Sequence, residues 1–416
     1  MRTSCWRNGS IRRCSSIWWR GRRDVCWKQR DMRVAIFTDN DFEKVNGVTT
    51  TLKAVLRWAP ADMHLRVYTA SQIGVAQPDY LALRSLGVGV PFYRGMQMYL
   101  PRLLSFLSHA RRDDIALVHM TTPGPVGLAA MYVAGRLQLP MVGSFHTQLA
   151  EYAEMLSGSR RLGQLMREYL RWPYGKCERI LVPSEATRRL LVSGKLRSEK
   201  LRVWPRGVDT DRFSPAARSD ALRSAWRVSP TIPAVLYVGR ISHEKGLAAV
   251  PAFERALSRR GCLARFVFVG DGPMRRALQR ACPNALFTGE LPHADVARAM
   301  ASADVFLFPS RTDTAGNVVL EAQASGLPVI VSDRGGPREN MRPGETGFMC
   351  HGDDPEVMGE RLCRLVADEA LRRRMGDAAR QYALGRTWAR ALAPLFDTYR
   401  EISARSLPHA LPVTAI

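Results

Sequence analysis

The stretch FPSRTDTAGNVVLEAQASGLPVIVSDRGGPREN, residues 308–340, reads as a strand end, a loop, a helix, a second strand and a second loop. A buried strand over Asp304 to Phe308 delivers Pro309 and Ser310 to its C-terminal edge. Thr312, Asp313, Thr314 and Gly316 then supply the polar, flexible chemistry of a binding loop. A helix opens near Asn317, where free backbone amides and the positive dipole end favour an anion, and Gly316 lets a ligand approach the backbone. Glu321 lies one turn inside that helix, with seven residues between it and Asp313, so one acid on the loop and one on the helix face a common pocket. Taken alone, such acids also suit a loop cap and a solvated helix face.

Outward from this stretch, short apolar strands alternate with helical segments from Met32 onward, which predicts an α/β chain with mostly parallel sheets covered on both faces. At 416 residues there is room for two such domains. The expected division is a leader over 1–31, a first domain over 32–205, a second over 206–388, and a crossover helix with tail over 389–416.

Ligands of open α/β sheets gather at the C-terminal strand edges, and several edges here carry suitable residues. Arg33 to Asp39 leads into Asn46 and Gly47 before a helix near Val48; Gly47 can bring amides close to a phosphate or sugar, or can be a plain turn. Leu65 to Tyr68 is a strand followed by a less regular stretch to about Tyr93, and Met96 to Arg112 reads as one amphipathic basic helix beside Arg94. Met141 to Phe145 ends at His146, between Ser144 and Thr147. His119 closes the neighbouring strand and is the weaker candidate of the two. Ser184 is read as the cap of the helix after Ile180 to Pro183. In the second half, Arg240 and Lys245 stand where the strand Ala234 to Gly239 turns toward a helix near Gly246; two cations there suit a diphosphate, or solvent. The sequence has no GxGxxG between a strand and a helix.

Taken together and in order, these segments resemble the retaining glycosyltransferases of family four, from Met32 to about Arg400. The resemblance implies the GT-B arrangement, two Rossmann-like domains facing across a cleft with a C-terminal helix crossing back to the first. It puts Asp313 near the hydroxyls of the transferred sugar and Glu321 on the ribose of the nucleotide. Ala315, Gly316, Asn317 and Val318 fall in the same donor-binding turn, and Arg240 and Lys245 on the diphosphate. Phe287, Gly289 and Leu291 of FTGEL border the base, and Gly47 adjoins the donor from the first domain. His146 lies by the reacting sugar and acceptor, so His146, Arg240, Lys245 and Asp313 carry the chemistry. Asp313 is one methylene shorter than the family's glutamate, and Ala315 stands where an aromatic is common; both bear on sugar selectivity. VNGVTTTL, SFHT and RGVDTDRF look closest to mannosyltransferases that use GDP-mannose, while UDP-sugar users share nearly all of these features. The resemblance implies a nucleotide-sugar donor, a lipid or glycan acceptor, and no metal or other cofactor.

The formal charge of +23 attracts polyanions in general, so nucleic acid, an anionic membrane surface and phosphorylated small molecules are all candidates. Aromatics do not interleave with the basic residues beyond the leader, so no nucleic-acid partner is expected. Residues 1–31 hold nine Arg or Lys and Trp6, Trp18, Trp19 and Trp27 but no long apolar run. They are expected to be an upstream extension before a natural start at Met32; the alternative is a membrane-surface arm. A sugar-nucleotide epimerase or hydrolase on the same fold stays open. Two DxD spacings, Asp39 with Asp41 and Asp209 with Asp211, are read as ordinary loop acids. Cys177, Cys262, Cys282, Cys350 and Cys363 read as buried or free thiols of a reducing cytoplasm, with peripheral membrane contact from that side.

Overall fold

In the computed structural model, residues 31–43, 46–89, 97–350 and 355–406 are described below. The leader and Arg94 lie outside them.

The first sheet is built from β1 (Met32–Phe37), β2 (Met63–Ser71), β3 (Val75–Ala76), β4 (Tyr80–Arg84), β7 (Leu117–Met120), β8 (Met141–Ser144), β9 (Arg179–Val182) and β10 (Leu201–Val203), with β5 (Gly87–Gly89) and β6 (Gln97–Tyr99) pairing separately. Its order is β10-β9-β8-β7-β1-β2-β4-β3, parallel except at the β3–β4 edge. The second sheet contains β11 (Ala234–Val238), β12 (Arg265–Val269), β13 (Leu286–Gly289), β14 (Val305–Phe308), β15 (Val329–Ser332) and β16 (Gly347–Cys350), all parallel in the order β13-β12-β11-β14-β15-β16. This is the expected two-sheet α/β architecture. Central strands are apolar because both faces are covered: in β1, Val34 and Ile36 enter one core and Ala35 and Phe37 the other.

The final helix, Trp388–Ser406, returns to the first sheet, where Leu392, Leu395, Phe396, Tyr399 and Ile402 pack on Val34, Ile36 and Leu117. The outgoing and returning linkers lie side by side. Val208 N donates to Arg386 O at 2.9 Å, and a Cβ on Gly207 would come within 2.6 Å of the Trp388 backbone, so only glycine fits.

Three expectations need correction. The irregular stretch to Tyr93 holds β3, β4 and β5. The helix expected over Met96 to Arg112 is β6 followed by a helix at Leu103–Arg112. Pro101 is the reason, because it pushes Leu100 out of helical backbone. Cys262 and Cys363 are not free thiols but form a disulfide, while Cys177, Cys282 and Cys350 are free and buried. They meet because helix Val250–Arg259 packs on helix Pro355–Ala367, closely enough that a Cβ on Gly359 would lie 2.4 Å from that of Ala256. Scattered thiols therefore no longer argue for a reducing compartment. Among the described residues, no helix is long and apolar enough to cross a membrane.

The returning helix carries part of the first domain's core, so its loss is felt there. Leu392 is fully buried. Leu392→Ala is expected to cost about 3 kcal/mol, read as an earlier midpoint in urea denaturation.

Candidate active site at the second-domain strand edges

β14 is buried throughout and ends at Pro309 and Ser310, from which the loop 311–316 leads to helix Asn317–Ala324. Gly316 precedes that helix at φ 70°, and a Cβ there would meet the Pro337 ring at 2.7 Å. The second glycine pair packs behind the loop. Gly336 N donates to Asp313 O at 2.9 Å, and a Cβ on Gly336 would lie 1.9 Å from Thr314 O. Asn340 Nδ2 donates to Ala315 O at 2.6 Å. The two loops of the 308–340 stretch thus hold each other.

Lys245 reaches this loop from the end of β11. It lies in a single turn, His243–Lys245, after which Gly246 adopts φ 73° and the α-helix starts only at Val250. The helix expected near Gly246 starts just after it, as a 3-10 turn over Leu247–Ala249 that continues as α-helix from Val250. Lys245 Nζ donates to both Asp313 oxygens, at 2.7 and 2.9 Å, with the two side chains 16% and 20% exposed. Burial opposes the ammonium's charge, but Asp313, Tyr152 and Glu244 together outweigh it and hold Lys245 above the usual lysine range. Glu244, which sequence reasoning missed, is buried beside it. Its carbonyl accepts from Thr312 Oγ1 at 3.1 Å and its carboxylate from the Ser242 hydroxyl. Arg240 stands exposed at the mouth of the same turn, its carbonyl accepting from Tyr237 OH at 2.8 Å.

Glu321 is buried inside helix Asn317–Ala324. Burial raises its carboxyl to about 7, a shift that Arg212 moderates. Asn317 Oδ1 is buried without a hydrogen-bond partner, an acceptor available to a ligand hydroxyl, and Val318 packs its side chain on the core.

Of the FTGEL residues, Phe287 stacks on Phe268 at 4.9 Å and its carbonyl accepts from Arg275. Gly289 O accepts from Gly270 N at 2.8 Å, and Leu291 packs on the core. Their own contacts are thus with the sheet edge. Gly47 begins helix Gly47–Arg57, exposed, with nothing within 4 Å of an added Cβ. The fold itself does not require a glycine there.

His146 approaches from the first domain through its main chain. Thr314 Oγ1 donates to His146 O at 2.6 Å. Both ring nitrogens are engaged elsewhere, Nε2 with Ser144 Oγ at 2.8 Å and Nδ1 with Arg206 Nη2 at 3.3 Å. Burial, then Arg206 and His119, hold its imidazole well below the usual histidine range, so it is neutral. Further bonds join the two sides. Ser184 Oγ donates to Thr314 O at 3.0 Å, and the Glu339 carboxylate accepts from Glu185 N and Ala186 N at 2.8 and 2.6 Å. Ser184 also caps its helix as expected, but Arg206, Thr314 and Glu339 carry no local signal of their partners in the sequence. The loop acids are occupied too. Asp39 accepts from Thr122 Oγ1 and the amides of Gly124, Val126 and Gly127, and Asp209 from Arg212 N.

Comparison with known proteins adds an independent line. Residues 45–212 match the family described as Glycosyltransferase Family 4, and residues 232–368 match Glycosyl transferases group 1. A GDP-mannose-dependent alpha-mannosyltransferase of Mycolicibacterium smegmatis is 33% identical over 395 residues, 90% of this chain and 98% of the relative. The sulfoquinovosyl transferase SQD2 of Arabidopsis thaliana is 31% identical, covering 86% of this chain and 71% of its own. The structure of Anabaena Alr3699/HepE in complex with UDP-glucose superposes with a TM-score of 0.70 at 15% identity, over 89% of this chain and all of that one.

Glu321 has a pH signature. Unfolded, its carboxyl ionises near 4.5; folded, near 7, so the folded chain holds the proton longer. Its contribution to stability is complete below the unfolded value and is lost as pH rises through that window, leaving a buried carboxylate as a burden at alkaline pH. Glu321→Gln is therefore expected to melt a few degrees higher than the parent at about pH 8, with the gap closing toward about pH 5, by scanning calorimetry at both values.

Proposed function

The chain belongs to glycosyltransferase family four, enzymes of the GT-B fold, and from that membership we propose that it moves mannose from GDP-mannose, with retention, to a hydroxyl of a lipid or glycan acceptor. The observation that carries the reading is the Lys245–Asp313 pair at the start of helix Asn317–Ala324, with buried Glu321 one turn further on. A cation and free helix amides suit a diphosphate, and two acids suit the hydroxyls of a sugar and a ribose. Relatives named as GDP-mannose-dependent and aligned over 90% and 91% of this chain support the donor choice.

In the transfer, the bond from the anomeric carbon to the diphosphate breaks while the acceptor oxygen bonds the same face. The acceptor's proton passes to the departing phosphate oxygen. Lys245, Arg240 and the amides at Asn317 stabilise the charge that grows on that oxygen, the major electrostatic contribution. Lys245 starts the cycle neutralised by Asp313, so the diphosphate takes over part of that pairing and leaves Asp313 to the sugar. Glu321 accepts from the ribose. No metal takes part in this scheme.

The acceptor is proposed to lie in or near an anionic membrane at its cytoplasmic face. Leu104, Leu165 and Trp172 are exposed by 74%, 66% and 54%, the last two on the helix that begins with exposed Arg160 and Arg161. Apolar and cationic side chains together suit such an interface.

Incubated with a lipid extract, the full chain is expected to consume GDP-mannose and not UDP-glucose, and Lys245→Ala to lower the rate by about a hundredfold or more. Consumption of UDP-glucose alone would overturn the donor assignment; retention of full rate by Lys245→Ala would overturn the site. In a separate sedimentation assay, vesicles containing phosphatidylglycerol should pull the chain down at low salt and pure phosphatidylcholine should not. Replacing Arg160 and Arg161 with Glu is expected to reduce that binding several-fold.

A further inference from the structure

Five side chains form one continuous hydrogen-bonded line within the first domain's core. Arg206 Nη2 meets His146 Nδ1 at 3.3 Å, and His146 Nε2 meets Ser144 Oγ at 2.8 Å. The same oxygen lies 2.8 Å from His119 Nε2, and His119 Nδ1 lies 2.6 Å from the hydroxyl of Tyr399. One end is the linker leaving for the second domain; the other is the helix that returns from it.

Arg206 is the unusual member. It is only 3% exposed, and among the described residues no carboxylate pairs with it. Its Nη1 donates to Trp204 O at 2.9 Å and its guanidinium lies 4.5 Å from the Trp204 ring. Burial draws its pKa down to about 9, so it remains a cation at neutral pH. An interior cation without a counter-charge is costly, and a neutral side chain of similar shape would fill the space more cheaply. Such a cost points to a task that needs a guanidinium.

The task follows from donor chemistry. A guanidinium can only donate, so His146 Nδ1 must be the acceptor and carry no proton. The neutral ring then keeps its proton on Nε2 and donates it to Ser144 Oγ. His119 and Tyr399 hold Ser144 from behind, and His119, pushed down to about 3 by burial, stays neutral as well. Pinned at both nitrogens and edge-on to Trp204 at 5.8 Å, the His146 ring has one orientation. With the ring fixed, its main-chain carbonyl meets Thr314 of the second-domain loop.

We propose that Arg206 is a positioning residue for the transfer reaction: it locks His146 as the neutral Nε2–H tautomer in one orientation, so that the His146 carbonyl presents a fixed acceptor to the loop bearing Asp313. This rests on the transferase reading above. His146 then contributes a rigid wall and dipole at the cleft and moves no proton itself.

The test joins 15N NMR of histidine-labelled full chain to kinetics. In the parent, His146, assigned by the signal lost in His146→Gln, should show an unprotonated Nδ1 and a protonated Nε2. Arg206→Met should mix the tautomers and lower kcat about tenfold or more, with the donor KM little changed. Arg206→Lys, which also can only donate, should keep the tautomer and recover part of the rate. An Nδ1–H signal in the parent overturns the proposal outright, whether or not any variant folds. Full kcat in Arg206→Met with the parent's tautomer overturns it as well. The tautomer is read without donor, so it decides on Arg206 even where no donor sugar is consumed, the outcome that would sink the transferase reading instead.

Discussion

Thr314 commits its hydroxyl and its carbonyl across the cleft. Its hydroxyl donates to His146 O, and its carbonyl accepts from Ser184 and, at longer range, Thr187. Thr314 is itself buried, so each bond it loses would leave a desolvated group unpaired, at about 1–3 kcal/mol. The neighbours inherit the constraint. Asp313 on one side is turned toward Lys245, and Ala315 and Gly316 on the other are tied to Asn340. The shape of the site therefore depends on the first domain being in contact with the second. Within the second domain alone, Gly336, Asn340 and Lys245 would still hold the loop, but the hydroxyl of Thr314 would lose its acceptor.

Lys245, Glu321 and Arg206 are balanced differently. Lys245 has its counter-charge in Asp313. Glu321 shares its site with no cation close enough to cancel the effect of burial, and its carboxyl is raised to about 7. Among the described residues, Arg206 is offset only by a carbonyl, an imidazole and an indole face. In a chain with formal charge +23, cations are plentiful, so the failure of Arg212 to cancel the effect of burial on Glu321 is a matter of site geometry rather than of composition. The stability forgone at Glu321 and Arg206 is the usual mark of groups kept for a ligand or for the geometry of a reaction.

Local signals in the sequence found most of the frame. Apolar runs located the central strands, the helix expected near Val48 begins at Gly47, and Ser184 caps the helix it precedes. Asp313 and Lys245, proposed from separate segments, do meet. What escaped notice depends on residues far apart in the chain. Nothing near Cys262 announces Cys363, and nothing near Glu339 announces the amides of Glu185 and Ala186. His146 was legible as a residue at a strand edge, but the direction of its ring is set by Arg206, which reads locally as the start of a linker. The helix drawn through Pro101 was a different kind of miss, since proline's effect on its predecessor was there to be read.

The side-by-side linkers and the returning helix also order events during synthesis. One face of the first sheet is closed by residues 388–406, which leave the ribosome only after the whole second domain. At ordinary translation rates the gap is on the order of ten seconds or more, during which Val34, Ile36, Leu117 and Trp204 lack the part of their cover that Leu392, Leu395, Phe396 and Tyr399 supply. The first domain to be made is thus the last to be finished. During that interval part of this face is open to other apolar surfaces, and a premature stop before Trp388 is expected to leave it so.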